Sequence, residues 1–275
     1  MQRISILGCG WLGFPLAKEL LESGFQVKGS VTTHSKLNAM RDAGIEPYQL
    51  VLDADMVEVD RPGFFDTDVV ILAIPPRRID SIETIFPGQI RQLITMMEEY
   101  QVPRLLFISS TSVYNEVNRE VTEGDVMDPD KPSGKALILS EELLMQNPNF
   151  KTTVLRFGGL IGAERNPARF LSRKRDTVSG SKPVNLIHLD DCLGIIQAII
   201  DQQVWGEIFN ACSPEHPTRK TFYMKAAAVS GIPAPKFNDD AESFKIVDST
   251  KLIQKLNFQF KYQSPVDYLE TIHES

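Results

Sequence analysis

Short apolar runs rich in β-branched residues alternate along the chain with apolar positions at helical spacing. The first run, Arg3–Leu7, is followed by Leu12, Leu16 and Leu20, and this series stops at Gly24. Leucines four residues apart lie on one face of a helix, and a glycine often follows a helix end. The later runs with the composition of strands are Phe25–Val31, Tyr48–Leu52, Val69–Ile74, Arg104–Ser109, Thr152–Arg156 and Glu207–Asn210.

This alternation predicts an α/β fold of the Rossmann type, a doubly wound parallel sheet with helices on both faces. Ligands bind such sheets at the carboxyl ends of the strands. The pattern loosens in residues 158–183 and again after Asn210, where prolines recur. We therefore expect residues 1–157 to form the Rossmann domain, with segment 184–212 returning to it. Residues 158–183 and 213–275 are expected to form a small C-terminal substrate lobe.

A glycine-rich turn, Gly8-Cys9-Gly10-Trp11-Leu12-Gly13, joins the first predicted strand to the first predicted helix. A G-x-G-x-x-G sequence in that context is typical of dinucleotide-binding sites. Gly8 permits a tight turn, Gly10 lets the backbone approach a pyrophosphate, and Gly13 lets the helix lie close to the sheet. The alternative is a glycine-rich turn without a ligand. The contacts predicted from this turn to a nicotinamide dinucleotide are Gly8, Gly10, Trp11, Leu12 and Gly13.

The residues after the second predicted strand bear on the choice of cofactor. Proteins that bind NAD usually place a carboxylate there to hold the ribose hydroxyls, yet no Asp or Glu occurs between Glu22 and Asp42. Hydroxyls and an ammonium at this place suit the 2′-phosphate of NADP. We therefore expect NADP to be preferred over NAD, and Thr33 or Ser35 could also cap the following helix. The residues predicted to contact this phosphate are Thr32, Thr33, Ser35 and Lys36.

Two later strand ends are expected to contribute further cofactor contacts. Asp53 follows the third predicted strand and could contact the adenine, with a simple turn aspartate as the alternative. Ala73, Ile74 and Pro75 stand at the carboxyl end of the next strand, where ligands of this fold class bind.

The overall charge and the cysteine pattern exclude several classes of function. The 275-residue chain carries a formal net charge of -7 and has no stripe dense in Lys and Arg, so we expect no nucleic-acid partner. Its longest apolar run, Val69–Pro76, is much shorter than the roughly 20 residues that span a bilayer, so we expect no membrane partner. The cysteines form no C-x-x-C pair and the histidines have no cysteine at ligand spacing. We therefore expect a cytoplasmic protein without a metal site.

Several segments together resemble the extended short-chain dehydrogenase/reductases, the NAD(P)-dependent epimerase/dehydratase family. Phe107–Tyr114 resembles the family's S-S-x-x-V-Y segment, residues 154–158 resemble the strand and loop beside the nicotinamide, and Asn185–Asp191 resembles the H-V-D-D segment. The combination of Gly-Trp-Leu-Gly-x-Pro, Ser-Ser-Thr-Ser-Val-Tyr and Ala-Cys-Ser-Pro-Glu-His-Pro is similar to an atypical, YeeZ-like branch. The resemblance covers nearly the whole chain, and it implies additional cofactor contacts at Ser109 and Phe157.

The family's Tyr-x-x-x-Lys pair, in which the lysine lowers the pKa of the tyrosine, is not matched here. Alignment on the pattern Y-G-x-S-K-x-x-x-E places Ser133 at the tyrosine and Leu137 at the lysine, while Lys135 would point toward a different helix face. The family's catalytic Ser/Thr is matched by Ser110, which either binds a substrate carbonyl or satisfies neighbouring backbone groups. Tyr114 is the other predicted catalytic residue, with a buried structural role as its alternative.

The resemblance places four further residues on the substrate side. Arg156, Arg165 and Arg169 would suit a carboxylate or phosphate, with ordinary surface arginines as the alternative. His188 could act as an acid or base near neutral pH or only brace its loop. Two hypotheses follow, an NADP-dependent oxidoreductase or epimerase/dehydratase acting on a small sugar-like or anionic substrate, and a catalytically inactive NADP-binding sensor. A homodimer is compatible with both.

Overall fold

The computed structural model describes residues 1–162, 165, 167, 177–238, 240 and 242–271. The chain divides into two compact units. The first unit comprises Met1–Val113, Met127–Arg156 and Ile199–Ile208, and the second comprises Tyr114–Val126, Phe157–Ala198 and Phe209–Ser275. The domain division expected from the sequence stays a prediction.

Helices and strands alternate through the chain, as the apolar pattern predicts. The helices are α1 (Gly13–Glu22), α2 (Leu37–Asp42), α3 (Ile82–Glu99), α4 (Pro132–Met145), α5 (Leu189–Gln202), α6 (Arg219–Val229), α7 (Thr250–Leu256) and α8 (Pro265–Thr271). The strands are β1 (Arg3–Leu7), β2 (Gln26–Val31), β3 (Glu46–Leu52), β4 (Val57–Val59), β5 (Val69–Leu72), β6 (Arg104–Ser110), β7 (Arg119–Val121), β8 (Lys151–Phe157), β9 (Gly159–Ile161), β10 (Val178–Ser179), β11 (Leu186–His188), β12 (Ile208–Ala211), β13 (Phe237–Asn238) and β14 (Lys245–Val247). None of the described helices is long and apolar enough to cross a membrane.

The central sheet has eight strands in the order β12-β8-β6-β5-β1-β2-β3-β4. The pairs β1–β2, β2–β3, β1–β5 and β5–β6 are parallel, and the edge strand β4 runs antiparallel to β3. The chain builds outward from β1 to β3 and then returns to place β5 on the other side of β1. This arrangement confirms the predicted Rossmann-type, doubly wound fold. Its strand order reverses between β1 and β5, which is where such sheets bind their ligands.

The central strands are buried on both faces, which explains their nearly uninterrupted apolar sequences. Ile4–Leu7 in β1 and Val69–Leu72 in β5 have no exposed surface. On α1, Leu16 and Leu20 are also fully buried, so the predicted leucine face of this helix is its packing face. Burying one such leucine side chain stabilises a fold by about 1.5–3 kcal/mol. These contacts fix the position of the turn that joins β1 to α1.

The second unit has its own small strand pairs and its own core. The parallel pairs are β9 with β11, β7 with β14, and β10 with β13. The Asn185 side chain donates to the carbonyl of Lys245 and accepts from the amide of Val247, which ties the segment before β11 to β14. The apolar cluster of this unit includes Ile161, Val184, Phe222, Tyr268 and Leu269.

Candidate functional site

A cleft opens in the first unit at the carboxyl ends of β1, β2 and β5, where the strand order reverses. Seven of the residues that line it belong to the cofactor contacts predicted from the sequence. They are Gly8, Gly10, Thr32, Lys36, Ala73, Ile74 and Pro75. The pattern missed four other lining residues, Cys9, Ser30, Val31 and Leu50. Burial raises the pKa of the Cys9 thiol to about 12, so this thiol stays protonated and is not a nucleophile.

The backbone of the glycine turn requires glycine at Gly8 and Gly13, while Gly10 faces open space. Gly8 has a φ of +107°, which side chains other than glycine's rarely tolerate. A Cβ at Gly13 would lie 2.3 Å from the carbonyl oxygen of Gly8, so the helix approaches the turn too closely for any side chain. A Cβ at Gly10 would meet nothing within 4 Å. The surface above Gly10 is therefore open to a ligand, and this geometry fits the phosphates of a dinucleotide.

The turn is anchored to β2 by backbone and side-chain hydrogen bonds. The amide of Cys9 donates to the carbonyl of Ser30 at 2.8 Å, and the amide of Gly8 donates to Ser30 Oγ at 3.2 Å. A serine in mid-strand carries no distinctive sequence signal, which is why the pattern did not single out Ser30. Of the other two residues predicted from the turn, Leu12 is buried and Trp11 is half-buried.

The segment after β2 presents the predicted polar groups to solvent. Thr32, Thr33, Ser35 and Lys36 are all exposed, and Thr32 and Lys36 line the cleft. Thr33 stands at the N-cap of the 3₁₀ turn His34–Lys36 without a side-chain capping bond, so the proposed capping role of its side chain is not realised. Asp53 is exposed and its amide donates to the carbonyl of Met56, and it is not among the residues lining the cleft.

Arg156 lies in the interior of the first unit, and its side chain is only 1% exposed. Its guanidinium donates to Glu141 on α4, with Nη2 2.6 Å and Nε 3.1 Å from Oε2. Ser109 donates to the other carboxylate oxygen of Glu141 at 2.5 Å. This buried network already engages the side chains of Arg156 and Ser109. The sequence predicts instead that Arg156 faces a substrate and Ser109 a cofactor.

Ser110 ends β6 beside the helix that would carry the family's catalytic pair. Its Oγ accepts a hydrogen bond from the amide of Ser112 at 3.2 Å, and within the described part of the chain its own hydroxyl proton has no acceptor. A Cβ at Gly134 would lie 2.6 Å from the carbonyl of Ser112, so α4 packs closely on this turn. On α4, Ser133 is half-buried and Leu137 is buried, while Lys135 is exposed on another face.

Tyr114 and His188 belong to the second unit, where both are buried. The Tyr114 hydroxyl donates to Asn210 Oδ1 at 2.9 Å, which is the structural alternative weighed from the sequence. His188 packs against the rings of Tyr262 and Tyr268, and its Nδ1 accepts from the amide of Asp190. Burial lowers the pKa of His188 to about 4, so the ring is neutral near pH 7 and does not act there as a charged imidazolium acid.

Three further residues are predicted from the sequence to contact the substrate or the cofactor. Arg165 is partly buried in the second unit, and this burial lowers its pKa. Phe157 is buried at the end of β8. Arg169 lies outside the described residues. The described part of the chain contains no group of three His, Cys, Asp or Glu residues that could hold a metal ion.

Comparison with known proteins assigns the family. A family described as NAD(P)H-binding matches residues 8–185. The protein YeeZ of Escherichia coli K12 is 34% identical over 270 residues, which cover 97% of this chain and 98% of that protein.

Two solved structures show the same fold. A conserved protein from Silicibacter pomeroyi superposes with a TM-score of 0.82 at 19% identity, covering 100% of this chain and 99% of that one. The UDP-glucuronic acid 4-epimerase of Bacillus cereus, in complex with UDP-glucuronic acid and NAD, superposes with a TM-score of 0.78 at 19% identity, covering 99% and 98%. The chain therefore belongs to the NAD(P)H-binding family and is a homologue of YeeZ.

Proposed function

We propose that this protein holds NADP in the cleft at β1, β2 and β5 and acts as an atypical oxidoreductase or epimerase/dehydratase. The observation that carries the proposal is the open surface above Gly10, at the point where the strand order reverses. When bound, the cofactor supplies hydride chemistry. The chain itself contributes the backbone of the glycine turn, the ammonium of Lys36 and the hydroxyls at the end of β6.

The glycine turn gives a sharp test, because two of its glycines have opposite surroundings. Gly10→Ala places a methyl group in open space, so we expect an unchanged melting temperature and a dinucleotide affinity weakened by about 1 kcal/mol or more. Gly13→Ala drives a methyl group into the Gly8 carbonyl, so we expect a lower melting temperature as well as lost binding. Calorimetric titration and thermal melting measure the two effects. Wild-type protein that binds neither NADP nor NAD at millimolar concentration would overturn the proposal.

The preference for NADP rests on the charges around the segment after β2. Among the described residues that line the cleft, Lys36 is the only Lys, Arg, Asp or Glu, and Thr32 adds a hydroxyl. A 2′-phosphate would gain charge-assisted hydrogen bonds from such groups, whereas the 2′-hydroxyl of NAD would find no carboxylate to bind it.

We expect NADP to bind at least about tenfold more tightly than NAD, since a hydrogen bond to a charged group contributes about 1.5–3 kcal/mol. Lys36→Ala should reduce that ratio by weakening NADP alone. Lys18→Ala, which removes an exposed lysine from α1, is the matched control and should leave the ratio unchanged. Equal affinities of the wild type for the two cofactors would contradict the preference.

The catalytic part of the proposal is that the Tyr-x-x-x-Lys pair is absent. No tyrosine of the chain is followed by a lysine four positions later. Among the groups weighed for proton transfer, Tyr114 is engaged with Asn210 and His188 is buried and neutral. Ser110 keeps a hydroxyl proton to donate, so we assign it the role of orienting a substrate carbonyl or hydroxyl at the end of β6.

The proposed substrate is small and sugar-like or anionic. The observation that supports this class is that structural neighbours bind UDP-sugars, as the Bacillus cereus epimerase binds UDP-glucuronic acid. Arg165 is the described arginine that we propose for an anionic group of the substrate.

The comparisons do not favour a sensor without turnover. We place the protein in the cytoplasm because its three cysteines are buried free thiols. A homodimer stays a prediction.

A further inference from the structure

Two consecutive arginines come shortly after the residues that form one wall of the cofactor cleft. β5 ends at Leu72, Ala73–Pro75 line the cleft, and the chain continues as Pro76-Arg77-Arg78. This wall touches the glycine turn, because a Cβ at Gly8 would lie 3.2 Å from the carbonyl oxygen of Ala73. Tandem prolines fix φ and favour an extended backbone before each ring. Arg77 is therefore about 6 Å along the chain from the last lining residue.

Both arginine side chains are available to a ligand. Arg77 and Arg78 are exposed, and neither side chain has a hydrogen bond or ion pair with another residue in the described ranges of the chain. Arg61, another exposed arginine of the first unit, pairs with Glu46. Two adjacent exposed cations therefore follow in sequence after a wall of the cleft, and the described residues that line the cleft include no carboxylate.

We propose that Arg77 and Arg78 bind the diphosphate of the dinucleotide and close the β5 side of the cleft. The inference rests on the proposed function and deepens it. β1, which leads into the glycine turn, lies between β2 and β5. Lys36 and Thr32 lie on the β2 side of the cleft. Lys36 and the arginine pair would therefore bind different phosphates. Guanidinium groups bind phosphate oxygens in a bidentate manner, and a backbone stiffened by prolines reduces the entropy lost on binding.

The inference predicts a loss of affinity that is the same for both cofactors. Trp11 belongs to the glycine turn, so its fluorescence in a Trp205→Phe background is expected to report binding without any catalysis. We expect Arg77→Ala/Arg78→Ala to weaken NADP and NAD by an equal factor of about ten or more, and Arg77→Lys/Arg78→Lys to recover part of that loss. The binding of both cofactors should also become less sensitive to salt in the alanine variant.

The control changes the net charge equally without touching the cleft. Arg91→Ala/Lys135→Ala removes two exposed cations, one from α3 and one from α4, and should leave both affinities unchanged. Wild-type affinities in the Arg77→Ala/Arg78→Ala variant would overturn the inference and leave the proposed function standing. A loss confined to NADP would also overturn it, since the arginines would then hold the 2′-phosphate. A wild type that binds neither cofactor would overturn both proposals together.

Discussion

Replacing Glu141 with glutamine is expected to lower the free energy of unfolding by about 3–5 kcal/mol, because it removes the carboxylate charge that pairs with a buried guanidinium. The Arg156 and Glu141 side chains are 1% and 3% exposed, and their closest oxygen and nitrogen lie 2.6 Å apart. Ser109 would lose its charged acceptor in the same variant. Urea denaturation followed by circular dichroism measures the change, provided the slope against denaturant concentration stays constant.

A surface ion pair provides the control for this prediction. Asp66 pairs with Arg3 at 2.6 Å, but its side chain is 65% exposed. Asp66→Asn should therefore lower stability by less than about 1 kcal/mol. The double variant Glu141→Leu/Arg156→Met removes both buried charges and should recover much of the loss. A Glu141→Gln variant no less stable than Asp66→Asn would show that the buried pair does not stabilise the unit.

The partner of the Arg156 side chain could not be predicted from the sequence. Its position in a strand follows from the apolar pattern, but a single arginine in a strand buried on both sides has no periodicity to reveal what its side chain meets. Its partner Glu141 stands on a helix 15 residues earlier, and only folding brings the two together. The resemblance to the substrate-side strand therefore favoured an open role for a side chain that the structure buries.

The glycine turn could be predicted because the residues that form it are neighbours in sequence. All its residues are contiguous, and two of its glycines meet local requirements of backbone geometry, namely the positive φ of Gly8 and the close approach at Gly13. The sheet was accessible because each strand and helix carries its own pattern, and parallel strands with crossover helices have few possible topologies. Ser30 and Leu50 line the same cleft from neighbouring strands, and no local signal distinguishes them from ordinary strand residues.

The wild type should be nearly inactive in standard assays of the extended short-chain reductases and epimerases, at a rate about 10²–10⁴ below that expected with general acid–base help. Ser133 lacks the ring that would carry a phenol hydroxyl outward, and its alkoxide is too basic to form near neutral pH. Leu137 provides no cation to lower the pKa of a proton donor. The assay follows the absorbance of the reduced cofactor and the epimerised product over a panel of UDP-sugars.

Restoring the pair as Ser133→Tyr/Leu137→Lys should raise turnover toward the panel if the cleft and Ser110 are otherwise competent. Leu137 is 3% exposed, so the new lysine will lower the melting temperature, and each variant has to be assayed below its own unfolding transition. Ser133→Tyr with Leu137→Met keeps the core apolar and supplies the phenol without the cation, so it should gain much less. Ser110→Ala should abolish whatever activity either protein has. The contrary result is a wild type that converts a UDP-sugar at ordinary rates and loses that activity on Ser133→Ala. That result would mean that Ser133 itself moves the proton, and it would contradict the proposed atypical catalytic apparatus.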